Sequence, residues 1–297
     1  MELKLDQLSK KYSGKTVVRD VNVSLGAGVY GLLGANGAGK TTLMRMICGV
    51  LSPTSGRISY DGIDIEEMGE SYRALLGYLP QNFGYYPDFT AEEFLRYVAS
   101  LKGLSQRAGR TRARELLELV ALADVSRHKI RTFSGGMKQR LGIAQAMLND
   151  PGIVVLDEPT AGLDPKERVR FRNLISDLAK NKIVLLSTHI VSDVEYIADQ
   201  IFVMRKGRML MSGTPQQLTA SMENLVWTCR IPAGEANEWS GHCISNLKHE
   251  GDEVELRIVS KERPARDAMP ASATLEDLYL FYFMDDESSS ERKGGIA

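Results

Sequence analysis

The sequence predicts an α/β fold built on a parallel sheet, and three observations carry that prediction. Gly34-Ala35-Asn36-Gly37-Ala38-Gly39-Lys40-Thr41-Thr42 fits a phosphate-binding loop, Gly-x₄-Gly-Lys-Ser/Thr. The apolar run 29–33 before it reads as a buried strand, and Leu43, Met46 and Ile47 after it fall at helical core spacing. Two more apolar runs, 153–156 and 183–186, suit central parallel strands buried on both faces.

Composition narrows the class. The chain has 297 residues, 43% hydrophobic and 25% charged, as expected of a soluble globular protein. Lys plus Arg total 37 against 38 for Asp plus Glu, a net charge of −1 that argues against a nucleic-acid binder with a broad basic face. No apolar run approaches the roughly 20 residues of a membrane span, and the start Met1-Glu2-Leu3-Lys4 lacks a secretion signal. A cytoplasmic protein is expected, unless a partner holds it at a membrane. Cys48, Cys229 and Cys243 show no close pairing and are expected to be reduced. With His242 and His249 they do not make zinc spacing.

In chain order, residues 1–28 read as strands, with Leu3, Leu5 and Leu8 and then Val17 to Leu25 in partial alternation. Tyr12, in a polar turn, fits either a base-stacking aromatic or a half-buried surface ring. In the loop, Gly34, Gly37 and Gly39 let successive N–H groups turn inward into a phosphate nest at a helix start. Lys40 would reach the β- and γ-phosphates and the Thr41 hydroxyl would take a place on Mg²⁺. Short strands follow at 57–60 and at 77–81, the latter ending at Gln81. Tyr78, Phe83, Tyr85, Tyr86, Phe89, Phe94 and Tyr97 crowd the next stretch, which fits both a partner groove and the core of a helical subdomain. Thr90 caps a helix continued by Leu95, Val98 and Leu101, and 112–120 makes another. A helical subdomain is expected over about 82–150.

Ser134-Gly135-Gly136 opens a further helix over 137–148, with Lys138 and Arg140 close to its bare first amides. It reads as an anion seat completing a nucleotide held by another copy, or as a well-capped helix. Asp157 and Glu158 end the strand 153–156, where open α/β sheets bind ligands. Asp157 would hold Mg²⁺ through water, and Glu158 would orient or deprotonate an attacking water, a task worth about 10²- to 10⁴-fold. Asp164 caps a helix at Pro165. His189, after the strand 183–186, is placed to sense a γ-phosphate or to serve as a structural hydrogen-bonder.

Together these residues resemble the ATP-binding subunit of an ABC transporter, over roughly 1–213. Residues 34–42 resemble Walker A and Gln81 falls at the Q-loop. Phe133-Ser134-Gly135-Gly136-Met137 resembles the family signature, with Phe for the usual Leu and Met for the usual Gln. Residues 153–158 resemble Walker B with its catalytic Glu, Gly162-Leu163-Asp164 the D-loop, His189 the switch His, and Tyr12 the adenine-stacking aromatic. The resemblance implies the P-loop NTPase fold of ABC-type ATPases, with an antiparallel β subdomain and a helical subdomain. Its implied site comprises the catalytic Glu158 and His189, and nucleotide contacts from Tyr12, 34–42, Gln81, Ser134, Gly135, Gly136 and Asp164. Thr41, Gln81 and Asp157 would serve Mg²⁺. It further implies a head-to-tail homodimer or heterodimer around two ATP molecules, coupled to a membrane-spanning permease on the cytoplasmic face of the membrane. Leu275-Glu276-Asp277-Leu278 is similar to a late helix of ABC-2-type exporter subunits. A soluble ABC-type ATPase acting on a ribosome or nucleic acid, and a small-molecule phosphotransferase, are the competing readings.

After 213 the nucleotide motifs cease. Leu225, Trp227, Cys229 and Ile231 alternate, as do Val254, Leu256 and Ile258, predicting two strands of a small α+β accessory region over 214–284. Leu275, Leu278, Tyr279, Tyr282 and Phe283 share one helix face. The polar stretch 285–297 is expected to be disordered.

Overall fold

The computed structural model describes residues 1–291 and divides into two compact units, Met1–Met211 and the chain from Ser212 onward. In the first unit β1 (Leu3–Tyr12) and β2 (Lys15–Leu25) make an antiparallel hairpin, and β3 (Gly28–Leu33) leads through the loop into α1 (Lys40–Ile47). β4 (Ser55–Tyr60) and β5 (Ile63–Asp64) join the hairpin in a sheet ordered β2-β1-β4-β5. Short helices α2 (Ile65–Met68) and α3 (Glu70–Ala74) precede β6 (Leu76–Leu79). Then come the helices α4 (Ala91–Leu101), α5 (Gln106–Leu119) and α6 (Gly135–Ala146), which form the helical region. The chain returns through β7 (Ile153–Asp157), α7 (Pro165–Leu178), β8 (Ile183–Thr188), α8 (Val191–Glu195), β9 (Gln200–Arg205) and β10 (Arg208–Gly213).

The second sheet is ordered β10-β9-β3-β8-β7-β6. The pairings β9–β3, β3–β8, β8–β7 and β7–β6 are all parallel. Register aligns the carboxyl ends: Leu33 lies opposite Thr188 and Asp157 opposite Ser187. The loops leaving β3, β7 and β8 therefore open on one edge, the place where such sheets take ligands. Beneath them α1 packs Leu43, Met44, Met46 and Ile47 into a core shared with Leu3, Leu5 and Val18 of the antiparallel sheet and Ile153, Val155 and Leu185 of the parallel one. The phosphate loop is thus anchored by a helix buried between two sheets. Truncating Leu43 to Ala would cost about 2–5 kcal/mol.

Helix starts lie earlier than the apolar spacing suggests. α5 begins at Gln106 rather than Arg112, because the Ser105 hydroxyl accepts from the Ala108 N–H and caps it there. α6 begins at Gly135, immediately after Ser134.

In the second unit α9 (Pro215–Ala220) precedes β11 (Val226–Pro232), β12 (Cys243–Glu250), β13 (Glu253–Val259), β14 (Met269–Pro270) and α10 (Leu275–Glu291). The sheet runs β12-β13-β11-β14, antiparallel, over a core of Cys229, Ile231, Val254, Leu256 and Ile258. It has four strands where the sequence reading has two, since β12 is mostly exposed from Asn246 on and carries no alternation. α10 continues to Glu291, so the backbone is helical over the first part of the stretch expected to be disordered; 292–297 lie outside the described residues. Among the described residues no helix is long and apolar enough to cross a membrane.

Candidate functional site

Residues 36–42, Val17, Gln81 and Glu158 line a cavity of about 320 Å³ over the start of α1. Gly39 holds φ +108 there, and a Cβ on it would come within 2.7 Å of the Val17 carbonyl and 2.9 Å of Met204. Glycine is required at this turn by both angle and space. The Lys40 ammonium, 5% exposed, donates to the carbonyls of Gly34 (2.7 Å) and Ala35 (3.2 Å) and lies 3.1 Å from Glu158 Oε1. All three of its N–H directions are therefore engaged, and an incoming phosphate must take over at least one of them.

Behind the loop, the chain leaving β7 is locked to the end of β8. The Glu158 N–H faces Ser187, whose hydroxyl and carbonyl oxygens lie 3.0 and 3.2 Å away. The Ser187 hydroxyl in turn donates to Asp157 Oδ1 at 2.7 Å. Glu158 sits at φ +49, a left-handed backbone that costs a non-glycine residue roughly 1–2 kcal/mol. That geometry turns its carboxylate over the cavity, where Oε2 accepts from His189 Nδ1 at 2.6 Å. A carboxylate can only accept, so Nδ1 carries the hydrogen and Nε2 is left for another partner.

Asp157 accepts from Thr41 Oγ1 at 3.2 Å, while its Oδ2 is buried without a hydrogen-bond partner. A buried, unpaired carboxylate oxygen beside a hydroxyl is a hard-oxygen donor set, and it fits a Mg²⁺ that keeps much of its own water. Two groups behind this floor stay uncharged. Burial, and then the charge of Asp157, push the Cys48 thiol up, which rules it out as a nucleophile. Burial first, then Cys48 and Asp157, push the Tyr78 phenol up to about 12 against a smaller opposing effect of Arg45.

The predicted site therefore comes together for 36–42, Gln81, Asp157, Glu158 and His189. Gly34 and Ala35 contribute the carbonyls on Lys40. Tyr12 stands exposed at the end of β1, with the Lys10 ammonium 5.4 Å from its ring centre. Ser134, Gly135, Gly136 and Asp164 do not line the cavity over the loop. Ser134 caps α6 through Met137 N–H, and Asp164 caps α7 through Glu167 N–H. Their two helix starts are held together by Glu167. Its carboxylate lies 3.3 Å from Arg140 Nε, and a Cβ on Gly136 would come within 2.7 Å of it. The cations expected to greet an anion are otherwise engaged. Arg140 also donates to the Val120 and Ala121 carbonyls, and Lys138 lies over the Tyr85 ring. What remains at this seat is the bare start of α6.

The aromatic stretch serves two purposes. Phe94 is buried with Phe83 edge-on to it, whereas the rings of Tyr86, Phe89 and Tyr97 pack together at the surface. Phe89, Tyr97, Asp88, Arg96, Arg110 and Lys129 border a cavity of about 570 Å³. Sequence reasoning missed Thr160, Glu167, Ser187 and Asp193. Each acts through a contact some 30 residues away, and no local pattern signals that.

The family described as ABC transporter matches residues 18–161. The linearmycin resistance ATP-binding protein LnrL of Bacillus subtilis (strain 168) is 32% identical over 301 residues, covering 98% of this chain and 96% of that protein. The Nod factor export ATP-binding protein I of Paraburkholderia xenovorans (strain LB400) is 38% identical over 296 residues, covering 94% and 95%. A solved dimeric ATP-binding cassette in a post-hydrolysis state, bound to ADP and Pi, superposes with a TM-score of 0.65 at 26% identity, covering 71% of this chain and 98% of that one.

Proposed function

Since the chain belongs to the ABC transporter family as an ATP-binding subunit and an ATPase, we propose that it works as one half of a motor that grips two ATP molecules between two copies or two related chains. Each triphosphate would lie on one chain's phosphate loop, with Lys40 moving from Glu158 to the β- and γ-phosphates and Tyr12 stacking on the adenine. The partner would close the site with Ser134, Gly135 and Gly136, and Asp164 would reach across the join. Glu158, freed from Lys40 but still held by His189, would orient the attacking water and take its proton. With both ring nitrogens protonated, His189 would keep Nδ1–H on Glu158 and donate Nε2–H to the γ-phosphate. Thr41, Asp157 and Gln81 would hold Mg²⁺, which neutralises charge on the phosphates.

The observation that carries this reading is the Lys40–Glu158–His189 chain closing one side of the cavity, while a second bare helix start stands outside it. A site complete in one chain would leave that second seat idle. The surface ring cluster of Tyr86, Phe89 and Tyr97 and its cavity suit a helix of a membrane-spanning permease, with this chain on the cytoplasmic face. The linearmycin resistance and Nod factor export relatives favour export as the direction and disfavour a nucleic-acid partner.

Complementation tests the shared site. A Lys40→Ala chain and a Ser134→Arg chain should each be inactive alone. Mixed, they form pairs with one intact composite site, and ATP hydrolysis should return to a fraction of the wild-type rate. A mixture as inactive as its components would count against sharing.

A further inference from the structure

Asp193 lies in the first turn of α8 and is 1% exposed. Its Oδ2 accepts from the Thr160 hydroxyl by a short hydrogen bond and from Thr188 Oγ1 at 3.4 Å. Its Oδ1 is equally buried and has no hydrogen-bond partner. Thr160 follows Glu158 by two residues and Thr188 directly precedes His189, with its own hydroxyl accepting from the Ile190 N–H at 2.9 Å. One carboxylate thus joins the segment leaving β7 to Thr188, the last residue of β8, just past the final β7–β8 pair, Asp157 and Ser187.

This arrangement is costly for stability alone. A buried carboxylate with one unpaired oxygen loses hydration that two hydroxyl donors only partly replace. Apolar packing of similar volume commonly does as well or better. What the carboxylate adds is a fixed distance between the segment after β7, which carries Glu158, and the end of β8, which leads into His189.

We propose that Asp193 is a positioning residue for ATP hydrolysis: through Thr160 and Thr188 it holds Glu158 and His189 in their mutual geometry. The proposal rests on the roles assigned to those two residues under the proposed function. Asp193 does not line the cavity over the loop; a misplacement of about 1 Å in the pair it holds is enough to cost about 10²-fold in rate.

The test uses the full chain, with ATPase kinetics, nucleotide binding and melting temperature measured on each variant. Asp193→Ala should lower kcat about 10- to 100-fold with KM for ATP changed less than about two-fold, because the lost interaction serves the chemical step. Asp193→Asn should keep at least about a third of wild-type kcat, since its amide oxygen still accepts from both hydroxyls. Thr160→Val, a milder packing change, should fall between the two. In a His189→Ala background the Asp193→Ala substitution should cost less than about two-fold, because coupled residues are not additive. A wild-type kcat in Asp193→Ala overturns the proposal. So does an equal loss in Asp193→Asn, or a fall in kcat accompanied by a lower melting temperature and lost ATP binding. If His189→Ala alone keeps full turnover, the role given to His189 fails, and that result is separate from what Asp193→Ala does in the wild-type background.

Discussion

Glu158 and Asp277 are both buried carboxylates paired with a basic side chain, one in each compact unit, but their surroundings differ in kind. Asp277 accepts from Ser245 Oγ (2.6 Å), Arg257 Nε (2.9 Å) and Nη2 (2.7 Å), and from the N–H and hydroxyl of Thr274 (both 2.8 Å). Both of its oxygens are saturated, and every partner belongs to the fold. Glu158 is held by Lys40 and His189, the two groups a triphosphate would claim. Its neighbours Asp157 and Asp193 each keep a buried oxygen unpaired. Stability closes such a cluster, whereas function leaves it with partners to exchange. The strained backbone at Glu158 belongs to the same pattern, since strain persists where the surrounding structure holds it in place.

The largest effect expected from this contrast is at Glu158. Replacing it by Gln removes the proposed base and the charge that holds Lys40, while the amide oxygen can still accept from His189. Hydrolysis should fall by at least about 10²-fold, and ATP should be held more tightly, because Lys40 no longer has to leave an anion. ATP-dependent dimers should accumulate on size-exclusion chromatography. Turnover at the wild-type rate would break the contrast by making Glu158 another structural carboxylate.

The next effect sharpens the comparison at the second anion seat. Gly136→Val drives a Cβ against the Glu167 side chain, so either that carboxylate leaves its place between the two helix starts or the start of α6 moves. Binding of ATP to the isolated chain should survive, because the loop cavity is untouched, while hydrolysis drops about 10-fold or more as the composite site misaligns. Equal loss of binding in equilibrium titration would show that the seat serves its own chain.

Much of the candidate site was legible because it is local. The loop, its strand and its helix lie within some 20 residues, and the paired acids follow directly on an apolar run. Ser134 and Asp164 announce themselves as caps whose bonds span three residues. What could not be read depends on register. The neighbours of Ser187 and Asp193 follow only once β7 and β8 are paired side by side. In the second unit β12 sits at a sheet edge with most residues in water, so the alternation that reveals β11 and β13 is missing. Thr274 and Asp277 have the spacing of a capping pair, but Arg257 and Ser245 reach them from β13 and β12.

The smallest expected effect is on stability and tests the saturated cluster. Burial pushes the Asp277 carboxyl up, but the bonds from Arg257, Ser245 and Thr274 outweigh it and hold the group below the ordinary carboxylate range. Its folded value is therefore lower than its unfolded one, near 3.9 for Asp. The stabilisation is complete above the unfolded value and drains away as pH falls through the folded one. Asp277→Asn should remove roughly 1.5–3 kcal/mol from the second unit at neutral pH, the scale of hydrogen bonds to a charged group. Below about pH 4 the difference from wild type should shrink, since protonation imposes the same loss. Denaturant melts read by Trp227 and Trp239 fluorescence report on this unit, and ATP hydrolysis at neutral pH should stay within about two-fold of wild type if the two carboxylates play the separate parts assigned to them.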